Sequence, residues 1–144
     1  MQAYATGVSV PEIKQGANMN AIVFPDLTNA IVQLRILCGL LFIPHILAQF
    51  TAKDAVFGFF EAAGLKPAWL FVRTALVVQT LVLLGLVLGI YVFYAAWLGG
   101  IFMICAGLAA FKVSKGRWVW NLGGCEFHMF WGLCCIIVAL HSAA

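Results

Sequence analysis

Few side chains in this sequence can do chemistry, and they stand out because everything around them is apolar. His45, Arg73, Glu126 and His128 lie within or at the edge of long hydrophobic runs, as does Arg35, and Gln79 is an amide in the middle of another run. Histidine titrates near neutral pH and accepts or donates protons, a carboxylate carries a proton, and arginine holds anionic or carbonyl oxygens. Ionisable groups inside a lipid-facing run are costly, so each needs a physical reason to be there. The five cysteines offer less. They contain no C-x-x-C, and their number is odd. That excludes an ordinary disulfide framework and a zinc site. Cys38, Cys105, Cys134 and Cys135 are expected to be reduced, structural side chains, and no metal site is expected.

The elements that position these groups follow from composition. Of the 144 residues, 65% are hydrophobic and only 9% charged, with eight Lys and Arg against five Asp and Glu. The mean hydropathy is +1.06. A soluble domain carries about 25% charged residues. A soluble enzyme and a disordered chain are both excluded, nothing points to nucleic acid, and the lipid bilayer is the expected environment.

The pattern along the chain predicts an all-α fold: a four-helix transmembrane bundle with a short interfacial amphipathic helix between spans one and two. Residues 1–28 form an N-terminal arm without the charged and apolar regions of a signal peptide, and Met19 is an alternative start. The membrane domain is 29–144, with spans at about 29–50, 68–89, 93–112 and 124–141. Pro44 should kink the last turns of the first span. Between spans one and two, Val56, Phe59, Phe60 and Ala63 share one helical face, while Lys53, Asp54 and Glu61 take the other. Residues 68–110 hold one charge, Arg73, and as a single helix would reach about 65 Å, twice the hydrocarbon thickness. A turn is therefore expected between Leu88 and Tyr94. The loop 112–121 carries Lys112, Lys115, Arg117, Trp118 and Trp120. Lys and Arg concentrate in the two loops on one side of the bundle, which places both termini on the non-cytoplasmic side.

Depth then links the ionisable groups. His45 lies about five residues past the middle of span one and His128 about five before the middle of span four, each about 8 Å toward the loop side. Arg73 and Glu126 fall near that level, so the four are expected to form one inward-facing polar layer. Each also has a plainer reading. Arg73 is placed to snorkel, Glu126 suits the first turn of a helix, His128 can face the interface, and His141 is solvated. Arg35 lies toward the other side with no carboxylate in another span at its depth, and shares a face with Gly39, Phe42 and His45 or Ile46. Gln79 is expected to hydrogen-bond across helices. Two histidines at one depth meet the minimum for a b-type haem, but Pro44 and Glu126 flank them where small residues are needed. A quinone asks less: one or two polar groups at the edge of an apolar pocket.

Arg35-x-x-x-Gly39-x-x-Phe42-x-x-His45, the stretch with Phe59, Phe60, Gly64, Leu65 and Pro67, Leu84-Gly85-Leu86, and Gly123-Gly124-Cys125-Glu126-Phe127 follow one another in order. In that order and spacing they resemble the DoxX/DoxD-like family of integral membrane proteins over about residues 30–140. The resemblance implies four membrane helices and a role beside redox or respiratory complexes. Some members resemble the membrane subunit of thiosulfate:quinone oxidoreductases. This chain departs from the family pattern with Ile46 after the histidine, where Gly is frequent, and with Gln79, where a Glu is common. The missing carboxylate favours an accessory subunit that stabilises a larger complex. A quinone-reactive subunit, with His45 and Arg73 on the head group and Glu126 assisting proton transfer, is the alternative. Other membrane subunits are the expected partners, and the expected location is a bacterial inner membrane.

Overall fold

The computed structural model describes residues 25–117 and 124–142. The N-terminal arm through residue 24, with Met19, lies outside these residues, as do Trp118, Trp120 and Gly123. Among the described residues six helices follow in order: α1 (Ala30–Leu40), α2 (Phe42–Thr51), α3 (Lys53–Ala62), α4 (Ala68–Leu88), α5 (Val92–Val113) and α6 (Cys125–Ser142). Four segments are long and apolar enough to cross a membrane: Ala30–Thr51, which joins α1 and α2, then α4, α5 and α6. The protein is an all-helical integral membrane protein.

The first span begins at a built cap. The Asn29 side chain accepts hydrogen bonds from the backbone N–H groups of Ile31 at 2.9 Å and Val32 at 3.4 Å. Just before it, the Thr28 hydroxyl and N–H both donate to Asp26, which holds that carboxyl below its ordinary pKa. The span is interrupted at Leu41, a turn earlier than the expected kink. The reason is the geometry of Pro44. Its ring crowds the carbonyl four residues back, at Leu40, and it leaves that carbonyl without its N–H partner. The disturbance thus falls in the preceding turn, and α2 sets off with His45 near its start.

Spans two and three are separated by a three-residue turn. Gly89 adopts a left-handed conformation at φ 75°, Tyr91 follows at φ 49°, and Val92 opens α5. Glycine is favoured at residue 89 by its left-handed φ. A Cβ there would collide with the guanidinium of Arg35, which reaches over from α1. That places a cation at the C-terminal end of α4, where the last carbonyls of a helix favour one. Arg35 is thus directed toward the α4 terminus.

Every span here is apolar all round, so amphipathicity cannot choose the inward face. Size and shape do. The core consists of Phe42, Val82, Leu86, Met103, Trp131 and Val138, all close to fully buried, with Cys38 and Cys135 among them. All five cysteines are free; Cys105 alone is exposed. Leu81, Leu84, Leu88, Ile101, Leu108, Leu133 and Leu140 are exposed on the outer faces, where lipid tails are their natural neighbours. The closest helix pair is α5 with α6. Gly100 and Gly107 on α5 and Gly132 on α6 remove the side chains that would hold the two backbones apart, while Gly99 makes room for Val82 of α4.

The short helix α3 is packed across α2, α4 and α5. Its apolar side turns toward them, with Ala63 buried and Val56, Phe59 and Phe60 half-buried, while Lys53, Asp54 and Glu61 are exposed. The Lys112 ammonium from the end of α5 donates to the Ala63 carbonyl at 2.8 Å and so ties down the C-terminal end of α3. Gly58 in this helix has open space where a Cβ would go. Gly58→Ala should therefore stabilise the protein by about 0.5–1 kcal/mol through helix propensity alone. Thermal unfolding in detergent checks this, and a fall in the midpoint would mean that Gly58 meets something else in the folded protein.

Candidate functional site

One turn past the interruption at Leu41, His45 of α2 lies against α6. Its ring centroid lies 5.9 Å from that of His128, with the rings inclined by 72°. Aromatic side chains one turn apart on α6 hold it there. The Trp131 ring centroid is 5.3 Å away, and Phe127 lies nearly parallel to it at 6.3 Å. Trp131 is 1% exposed. Its indole N–H donates to the Cys38 carbonyl at 3.2 Å, and its ring packs 4.4 Å from Phe42. This one side chain joins the last span to the first on both sides of the break.

His128 has its Nδ1 3.1 Å from the carbonyl oxygen of Gly124, one turn earlier. A carbonyl can only accept, so in that contact Nδ1 carries the proton. The neutral ring then presents Nε2 as an acceptor.

A second polar pair lies one turn beyond His45. The Gln49 side-chain N–H donates to the side-chain Oε1 of Gln79 on α4 at 2.7 Å, in a buried setting. This is the cross-helix bond expected of Gln79. Gln49 Oε1 is itself buried and has no hydrogen-bond partner among the described residues. An unsatisfied buried acceptor costs about 1–3 kcal/mol, so its retention calls for an explanation.

His45, Gln49, Gln79 and His128 are the polar lining of a cavity of about 360 Å³. The remaining walls are alanines, Val56, Met103 and the rings of Phe59, Phe60 and Phe102. Four helices of the bundle contribute to it and α3 lies across it. A mostly apolar chamber with a few converging polar groups is the usual form of a small-molecule site.

The expected four-membered layer is only partly formed. His45 and His128 meet. Glu126 is 6% exposed at the start of α6, but it is not part of the cavity wall. Two residues from His128 is about 200° around a helix, which carries it to another face. Arg73 does not join the layer. It is exposed on α4, and its guanidinium lies 5.4 Å from the ring centroid of Trp69 on its own helix. Near a helix start, stacking on an interfacial tryptophan and reaching toward the headgroups is cheaper than entering the bundle. Arg73→Leu and Glu126→Leu should thus be additive within about 0.5 kcal/mol in a double-mutant cycle read by thermal unfolding. A coupling above about 1 kcal/mol would put Arg73 back in contact with Glu126. Arg35 and His141 lie apart from the cavity, and no group of three or more His, Cys, Asp or Glu among the described residues is arranged to hold a metal ion.

Sequence reasoning missed Gln49 and Trp131, and singled out Phe127 only as part of the stretch Gly123–Phe127, not as a neighbour of His45. Gln49 carried a signal, since it follows His45 by four residues and so shares its face. Trp131 had none, because a tryptophan in an apolar helix reads equally as lipid-facing.

Comparison with curated proteins and with solved structures gave no match. The DoxX family model matches residues 30–112, more than half of the chain. That stretch runs from the first residue of α1 through His45, Gln49, α3 and Gln79 to Lys112, and on it the chain belongs to the DoxX family.

Proposed function

We propose that this protein is a membrane subunit of a larger redox complex, and that its cavity receives the head group of a membrane quinone. The observation that carries this reading is the polar lining: two histidines and two glutamines facing one otherwise apolar chamber. The residues suit such a head. A quinone offers two carbonyl acceptors across a flat ring and, once reduced, two hydroxyl donors. Gln49 Oε1 is a buried acceptor with nothing to accept, and it would take a hydroxyl proton. His128 Nε2 is an acceptor too, while His45 can donate to a carbonyl from its own ring. Phe59, Phe60 and Phe102 supply apolar surface on which a flat ring packs.

The quinone would supply two-electron carrier chemistry, and the protein would hold and orient it and exchange its protons. The electrons would pass to or from a partner subunit. Gln79 is engaged by Gln49 and carries no charge, so proton exchange at this site would fall to the histidines. Arg73 and Glu126 have no part in the head-group contacts. In the proposed topology, a bacterial inner membrane holds the bundle with both termini on the non-cytoplasmic side.

The test is equilibrium binding of a decyl-substituted benzoquinone to the purified protein in lipid nanodiscs, read by quenching of tryptophan emission. Saturable binding is expected, weakened about tenfold or more by His45→Phe or Gln49→Leu, which remove hydrogen bonds worth about 1–3 kcal/mol each. No saturable binding, or an affinity unchanged in both variants, would overturn the quinone site and leave the accessory role by itself.

A further inference from the structure

A second cavity, of about 480 Å³, adjoins the first. The two share Phe59, Phe60, Ala75, Phe102 and Ala106 in their walls, so they lie side by side beneath the two phenylalanines of α3, with only these side chains between them. The first chamber holds all four polar side chains just described. The second is lined almost wholly by carbon, from Phe71 on α4 to Ala109 on α5, with Lys112 at its far end. The Lys112 ammonium is already engaged by the Ala63 carbonyl. Two other members of the lining, Cys105 and Leu108, are exposed on the outer surface of α5, so this chamber opens sideways to lipid.

The opening follows from how α4 and α5 pack. At the turn between them they are in intimate contact, and a Cβ on Gly85 would stand 2.6 Å from the Ala95 Cβ. Toward the other end, a chamber lies between Phe71–Ala75 and Cys105–Lys112 with Phe59 and Phe60 over it.

We infer that this second chamber is the passage for the hydrocarbon tail of the ligand, which leaves the head-group chamber between α4 and α5 beneath α3 and enters the bilayer past Cys105 and Leu108. The ligand class is thereby narrowed to amphiphiles with a small polar ring and a long apolar chain. This rests on the quinone reading of the first chamber. In lipid a tail gains little from entering protein, since lipid tails are equally apolar. The passage matters for a steric reason: a tailed head can seat only if its tail has a way out.

The experiment compares two probes in nanodiscs: the decyl-substituted benzoquinone and the same benzoquinone without a chain. Ala109 is half-buried in the second chamber and takes no part in the first. Ala109→Trp is expected to weaken binding of the decyl probe about tenfold, within the range for overpacking a filled space, and to leave the chainless probe unchanged. The unsubstituted protein gives a second readout that does not depend on a variant folding. A decyl probe with a photoactivatable group at the chain end should cross-link within Phe71–Ala75 and Cys105–Ala109. Cross-links confined to the outer groove at Leu81, Tyr91 and Leu98, or to α6, would overturn the passage, as would equal effects of Ala109→Trp on both probes. Failure of the unsubstituted protein to bind either probe would instead overturn the quinone reading itself.

Discussion

Replacing Trp131 with alanine should destabilise this protein more than any other single truncation of its core, by about 3 kcal/mol or more. Trp131 is the largest of the fully buried side chains among the described residues. It touches Phe42 and His45, and its indole N–H reaches the Cys38 carbonyl on the far side of the helix break. In a membrane protein the unfolded reference is also apolar, so water-to-oil transfer contributes little. What alanine forfeits is packing: the ring's dispersion contacts and the void left among residues that cannot collapse onto it. Trp131→Phe should cost less, about 1–2 kcal/mol, because most of the ring remains and the indole hydrogen bond is lost. Unfolding by a denaturing detergent, with its midpoint and slope, measures both. Trp131→Ala should also weaken ligand binding, since His45 loses the wall that orients it. A change below about 1 kcal/mol for alanine would show that α6 does not fasten the first span as described.

Gly132→Leu should have an effect of similar size for the opposite reason. The α5–α6 contact is made by backbone meeting backbone. A Cβ on Gly132 would stand 3.2 Å from the Gly100 carbonyl oxygen and 3.1 Å from the Ile104 Cγ1. A Cβ on Gly100 would in turn stand 3.2 Å from the Gly132 carbonyl oxygen and 2.8 Å from the Ile136 Cγ1. Ile136 and Ile104 can move a little, but a helix carbonyl cannot. Leucine would force the two helices apart over their whole contact, at about 3 kcal/mol, the upper part of the overpacking range. Gly132→Ala should cost about 1 kcal/mol. Gly100→Ala with Gly132→Ala should differ from the sum of the singles by at least about 0.5 kcal/mol, because each change relieves or worsens the same approach. Unfolding midpoints within error of the original for Gly132→Leu would mean that the helices do not meet there.

How much of this was legible follows from where the information lies. The four spans were readable because a run of 43 residues with one charge cannot be one helix in a bilayer, and Gly89 supplied the left-handed residue that the turn needs. The amphipathic face of α3 was readable because its two sides differ chemically. The site was only half legible. Counting residues along two helices brought His45 and His128 to one depth, and they do meet. The same counting placed Arg73 beside them. It failed there because depth says nothing about azimuth, and a long cationic side chain near a helix end has a cheaper neighbour in Trp69 and the headgroups.

The sequence by itself determined the solvent, the number of crossings, the break caused by Pro44 and the level at which the polar groups lie. These depend on composition, length and backbone chemistry, which are local. Only the tertiary structure decided which face of each apolar helix turns inward, because in lipid no hydrophobic contrast selects it. That choice is made by fit. Glycines let α5 and α6 close, Gly89 admits Arg35, and Trp131 reaches back to Cys38. Those contacts leave space beside Gln49 and beneath Phe59 and Phe60, and that space is the candidate site.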